Sequence, residues 1–150
     1  MSSSASIKWT IRRKSTNVTW VSIILVLLEN GWSPSDHGEM SYLPLNDNGR
    51  FDWLREPLNE EKLVSVLTRK ETEKESLGVC ITWKGTNIGG SLLTVSDDEL
   101  LLSININRKT IQLTDNETIT DINWYLKRTN CILVQNEDIT IITTVFTEII

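Results

Sequence analysis

Apolar and polar residues alternate with a period of two along much of Leu77 to Leu113, and Gly- or Asp-containing breaks divide the run. Leu77-Gly-Val-Cys-Ile-Thr-Trp-Lys84 is followed by Gly89-Gly-Ser-Leu-Leu-Thr-Val-Ser96, then Asp97-Asp98, then Glu99 to Asn107. This pattern predicts adjacent antiparallel strands, with Asp97-Asp98 at a hairpin turn. Ser6 to Lys14 alternates in the same way: Ile7, Trp9 and Ile11 fall on one face, and Lys8, Thr10 and Arg12 on the other. It reads as a half-buried strand whose basic end discourages edge-to-edge pairing. Asp138 to Ile150 is so rich in β-branched side chains that it predicts a C-terminal strand.

A longer period marks three helices. Thr19 stands as an N-cap, with Val18 before it and Ile23 inside as a hydrophobic staple, and the apolar segment to Leu28 ends at Asn30-Gly31. Asn59 caps a second helix whose first turn holds Glu60 and Glu61, where the helix dipole favours acids. Leu63, Val66 and Leu67 form its inner stripe, Leu58 staples to Leu63, and the charged run Lys70 to Glu75 reads as its exposed end. Thr118-Ile-Thr-Asp121 matches a capping box ahead of a third helix reaching about Asn130. Cys131 to Val134 fits either an extension of that helix or a strand. Ser33 to Pro57 holds all three prolines plus Gly38 and Gly49, which predicts mostly loop with one or two short strands. The expected fold is one α+β domain over 1–150, with 1–5 flexible. A mainly antiparallel sheet of about five to six strands carries about three helices, packed mainly on one face.

Composition supports a folded chain: 39% of residues are hydrophobic and 23% charged. The net charge of −5 disfavours nucleic acid as a partner, since phosphate binding needs a basic face, and suits a basic protein. The start shows no basic and apolar leader, and the longest apolar run, Ile23 to Leu28, is too short to span a bilayer. A cytoplasmic protein without a membrane partner is expected. Cys80 and Cys131 sit in apolar company and read as reduced, buried thiols.

The candidate chemistry is sparse. His37, the single histidine, follows Asp36 in a polar loop, but no Ser or Cys stands in a recognisable nucleophile context. Three Cys and His residues at 37, 80 and 131 lack metal-ligand spacing, so neither a metal nor a cofactor is expected. Asn46-Asp-Asn-Gly49 fails as a calcium loop, because Pro44 and Arg55 would occupy carboxylate positions.

Charge is concentrated instead. Asp36, Glu39, Asp47, Asp52, Glu56, Glu60 and Glu61 face only Arg50 and Arg55 within residues 36–61, so this segment carries a net −5. Tyr42, Phe51 and Trp53 are interleaved with it. Acids and aromatics on a long loop suit a protein-binding surface, and equally a solvated loop whose aromatics fold back over the core.

Several fragments in order carry a resemblance: Gly31-Trp32, Tyr42-Leu-Pro-Leu45, Phe51-Asp-Trp53, Thr82-Trp83 with Ile88-Gly-Gly-Ser-Leu-Leu93, Asn107-Arg108, and Thr120-Asp-Ile-Asn-Trp-Tyr-Leu126. Together, over most of the chain after Trp20, they resemble small immunity proteins of bacterial polymorphic toxin systems, in particular contact-dependent growth inhibition. The resemblance implies a cytosolic, non-enzymatic protein that binds and neutralises one cognate toxin C-terminal domain, often a nuclease. It assigns no binding residues. From chemistry alone the candidates are Asp36, Glu39, Asp47, Asp52 and Glu56 for charge, with Tyr42 and Trp53 as aromatic anchors. The alternatives are a small hydrolase using His37 with Asp36, or a structural or adaptor domain that self-associates through an exposed sheet edge.

Overall fold

The computed structural model describes residues 4–150. Ten strands and four helices follow one another as β1 (Ser4–Arg13), α1 (Trp20–Glu29), β2 (Trp32–Ser33), β3 (Glu39–Tyr42), β4 (Leu54–Pro57) and α2 (Glu60–Thr72). Then come β5 (Gly78–Trp83), β6 (Gly89–Thr94), β7 (Glu99–Ile106), β8 (Thr110–Thr114), β9 (Glu117–Thr120), α3 (Ile122–Arg128), α4 (Asn130–Leu133) and β10 (Ile139–Ile149). Eight strands form one antiparallel sheet in the order β10-β1-β7-β6-β5-β3-β4, with β2 paired to β5. β8 and β9 make a separate hairpin.

The α+β class stands, but the sheet is wider than the five to six strands expected. The excess comes from β2, β3 and β4, which are two to four residues long and lie in the Pro- and Gly-containing segment, where period-two patterning is too brief to register. The meander strands and β1 lie where alternation places them, and β10 lies where the β-branched run Asp138 to Ile150 places it. Ile7, Trp9 and Ile11 of β1, Val79 and Ile81 of β5, and Leu100, Leu102 and Ile104 of β7 turn to one face and join a single core with Ile23, Ile24, Leu27, Leu63 and Leu67 from the helices. Small polar residues meet on the opposite face, where Thr147, Ser6, Ser103, Ser91 and Cys80 line up across five neighbouring strands.

Local chemistry sets the helix ends. The Thr19 hydroxyl accepts from the Ser22 amide while Ser22 Oγ accepts from the Thr19 amide, a reciprocal cap. Glu71 of α2 reinforces it, its carboxylate accepting from the amides of Trp20 at 2.7 Å and Val21 at 3.1 Å, where the α1 dipole is positive. Gly31, with φ +118°, lets the chain leave α1 under the Trp83 ring, which a Cβ there would strike. Trp32, Trp83 and Trp124 then meet edge to face, and the Arg128 guanidinium lies 4.3 Å from the Trp124 ring centre.

Four expectations are corrected, and one open choice is resolved. Ser4 and Ala5 are not flexible but belong to β1, with Ala5 buried against the core; residues 1–3 lie outside the described residues. Asp121, not Thr118, caps α3 by accepting from the Trp124 amide, because Thr118 to Thr120 are taken up by β9. The choice left open for Cys131 to Val134 falls to helix, with Asn130–Leu133 forming the one-turn α4. Cys131 is exposed there instead of buried. Lys70, placed at an exposed helix end, is 1% exposed, because the chain around Pro44 returns across it and offers a carbonyl to its ammonium.

Candidate functional site

The acidic segment divides into two parts with different roles. Asp36, Glu39 and Glu56 carry internal ion pairs: Arg55 Nε lies 3.1 Å from Glu39, Arg55 Nη1 lies 3.6 Å from Asp36, and Lys62 Nζ lies 2.8 Å from Glu56. Asp47 is buried and accepts from the backbone amides of Phe51 at 2.8 Å and Asp52 at 3.0 Å. Burial pushes its carboxyl up, yet the two amides together with the Lys70 and Arg50 charges outweigh that and hold it low. Glu56 is also held low, first by its hydrogen bond to Lys62 and then by Tyr42.

Tyr42 therefore does not serve as a surface anchor. Its ring is 2% exposed within the core, and its hydroxyl donates to Glu56 at 2.8 Å. Residue alternation along β3 turns Met40 and Tyr42 inward together. Of the seven candidates, only Asp52 and Trp53 combine an exposed position with no internal charge pairing. Glu39, although 46% exposed at its side chain, spends its charge on Arg55.

What remains is a strip along the β4 edge of the sheet. From Phe51 to Lys62 every residue except Glu56 is exposed. Phe51, Trp53, Leu54 and Leu58 present apolar surface, at 49, 37, 40 and 37% exposure. Asp52 lies between Phe51 and Trp53, Glu60 and Glu61 follow Leu58, and none of the three enters an ion pair among the described residues. The Trp53 ring rests against the backbone of Gly78 beside Leu43, where any Cβ would displace it, so one end of the ring is packed while over a third of the residue stays open. Thus Trp53 both lids the sheet and faces outward.

The loop leading into the strip is held firmly. Lys70 Nζ donates to the Pro44 carbonyl at 2.7 Å and lies 3.1 Å from Glu75, and Glu75 also accepts from the Asn46 amide at 2.9 Å. Beyond its other end, a cleft of about 250 Å³ opens between α1 and α2. Leu25, Leu28, Leu63 and Val64 line it, with Glu29 and Glu60 contributing acids. Phe51, Leu54, Leu58, Glu60 and Glu61 were not among the sequence candidates for binding. Their signal is the unbroken run of exposure through a strand, which periodicity does not report.

Asp36 and His37 do come together, with His37 Nδ1 2.7 Å from the Asp36 carboxylate. The ring is 76% exposed, and Asp36 is shared with Arg55. Cys80 lies on the open sheet face, where burial pushes its thiol up, the reverse of an activated thiolate. No group of three His, Cys, Asp or Glu residues that could hold a metal ion occurs among the described residues. No helix among them is long and apolar enough to cross a membrane. A larger cavity, of about 630 Å³, lies beside the α1 start and is lined by Arg13, Trp20, Glu71 and Thr94; Glu71 already occupies the helix amides there.

No protein-family model, curated protein or solved structure matches the chain.

Proposed function

We propose that this chain acts by binding another protein and performs no reaction of its own, and that its partner is a basic domain of the toxin kind implied by the resemblance. The observation that carries this reading is the exposed strip from Phe51 to Glu61, which holds four large apolar side chains and three carboxylates that enter no ion pair among the described residues. Interfaces draw most of their strength from aromatic anchors set in a surrounding polar rim. Trp53 has the features of such an anchor, because its ring is already held against Gly78 and loses little freedom on binding.

The carboxylates suit a partner rich in Lys and Arg. A nuclease presents such residues to phosphate, and Asp52, Glu60 and Glu61 can occupy the same positive surface. The adjoining cleft offers a place for a long basic side chain, whose stem would lie on Leu28 and Leu63 while its head approaches Glu29 or Glu60. Paired acids such as Glu39 and Glu56 then act indirectly, by fixing β4 against β3 and α2.

The test is to express the C-terminal domain of any large secreted protein found encoded beside this chain and assay its activity with and without the chain. One-to-one binding with loss of toxin activity supports the reading. An active toxin in the presence of excess chain overturns it.

A further inference from the structure

Among the described residues, five lysines and arginines are partly or wholly shielded from solvent: Lys8, Arg13, Lys70, Arg108 and Arg128. Four of them face a carboxylate: Lys8 and Glu99 lie 3.3 Å apart, Arg13 and Glu71 3.9 Å, Lys70 and Glu75 3.1 Å, and Arg108 and Glu148 3.7 Å. Arg128 enters no ion pair among the described residues. Its guanidinium lies 4.3 Å from the Trp124 ring centre and 5.3 Å from that of Trp83. Nη1 donates to the Trp124 carbonyl at 3.1 Å, whereas Nε is buried with no hydrogen-bond partner among the described residues. Shielding a charge without a counter-charge is unfavourable, and so is a buried donor left unmet. The negative faces of the two indoles offset part of the first cost. No described residue meets the second.

We infer that Arg128 anchors an oxyanion site, which takes the carboxylate of an Asp or Glu side chain from an acidic segment of another protein. A guanidinium offers its Nε–Nη2 edge side-on, where two parallel N–H donors match the two oxygens of a carboxylate. In Arg128 the donor spent on the backbone is Nη1, so that edge is the one left. The group is also held in position before a ligand arrives. The indoles of Trp83 and Trp124 flank it, and Trp32 Nε1 donates to the Arg128 carbonyl at 2.6 Å, which fixes the backbone beneath.

The surroundings fit the same ligand. Trp83 and Trp124 are partly exposed, so the short apolar stem of an Asp or Glu can lie against them. Lys84 directly follows Trp83 and Lys127 directly precedes Arg128; both are exposed and enter no ion pair among the described residues. Their charges add to the positive potential that draws an anion in. Charge also decides against a nucleic acid. A phosphate backbone needs a run of cations along a basic face, and this chain offers three together against a net charge of −5. The inference does not rest on the reading of the β4 strip, which is acidic and suits a partner of the opposite sign.

Titration of the isotope-labelled full chain with a short acetylated oligoglutamate peptide tests it, read by nuclear magnetic resonance on the Arg128 Nε–H and the Trp83 and Trp124 indole N–H signals. The expected result is a saturable shift of these signals with a dissociation constant on the order of 0.1–1 mM. Arg128→Lys keeps the cation and loses the fork, and is expected to weaken binding at least about tenfold. Lys84→Gln with Lys127→Gln is expected to weaken it about threefold. Inorganic phosphate and oligothymidylate, at matched ionic strength, are expected to shift the same signals only at concentrations at least about tenfold higher. If Arg128→Lys does not fold, the unaltered chain and the paired lysine variant decide, since Lys84 and Lys127 are exposed. The absence of a saturable shift at Arg128 Nε–H overturns the inference. So does binding indifferent to Arg128→Lys or, where that variant is unfolded, to the lysine pair, and so does tighter binding of phosphate or oligothymidylate than of oligoglutamate.

Discussion

The hydroxyl of Tyr42 and the ammonium of Lys62 meet on one oxygen of Glu56, each at 2.8 Å. This junction ties β3, β4 and the first turn of α2 together beneath the exposed strip, so residues that make no contact with a partner fix the surface a partner would meet. Tyr42→Phe removes one hydrogen bond to a charged acceptor while keeping the buried ring. A loss of about 1–2 kcal/mol in urea unfolding is expected, with partner affinity nearly unchanged. A larger loss in affinity than in stability would mean that the hydroxyl itself lies in the interface.

Acid should loosen the same region. Lys62 and then Tyr42 hold Glu56 low. At Asp47 and Glu75 burial acts upward, but amide hydrogen bonds to Asp47, and the Lys70 ammonium with the Asn46 amide at Glu75, leave both below the ordinary range. A carboxyl depressed by folding stabilises the fold at pH above its unfolded value, and that contribution is lost as pH falls through the folded value. The melting temperature should therefore decline as pH drops below about 4.5, and Asp47→Asn should flatten the decline. Circular dichroism melts between about pH 7 and pH 3 measure this; a melting temperature constant over that range would contradict it.

Lys70 should be among the costliest polar residues to lose. Its ammonium is buried and serves both the Pro44 carbonyl and Glu75. Lys70→Met leaves both acceptors without their cation, and a loss of about 3 kcal/mol is expected in denaturant unfolding. Lys70→Met combined with Glu75→Gln should cost less than Lys70→Met alone, since the stranded carboxylate is gone. Equal costs for the single and double variants would show that Glu75 is not what Lys70 balances.

These residues also show where sequence stops informing structure. The Thr19 cap, the Ile7-Trp9-Ile11 face and the β-branched C-terminal strand depend on neighbours a few residues away, and all three are legible. The burial of Lys70 depends on Pro44, 26 residues distant, and nothing in the charged helix end signals it. The acidic segment misleads for the same reason: its net charge is visible, but the partition is made by Arg55 and Lys62 through strand pairing. Tyr42 and Trp53 look alike in sequence, and only the pairing of β3 with both β4 and β5 turns one inward. Thr118 matches a capping box that the β8–β9 hairpin overrides, a tertiary pairing winning over a local motif.

Affinity for the proposed basic toxin domain, measured with variants of the strip, tests the docking surface most directly. Asp52 and Glu61 are exposed and enter no ion pair among the described residues, so Asp52→Lys should shift stability by no more than about 0.5 kcal/mol and Glu61→Lys, at the positive start of α2, by about 1 kcal/mol. The same pair should slow association at least about tenfold at low salt. Trp53→Ala should weaken binding by about 2 kcal/mol, or roughly thirtyfold, with a thermal melt run in parallel to separate its packing on Gly78 from its contact with the partner. Full affinity in both variants, with the fold intact, would place the interface elsewhere and contradict the proposed role of the β4 edge.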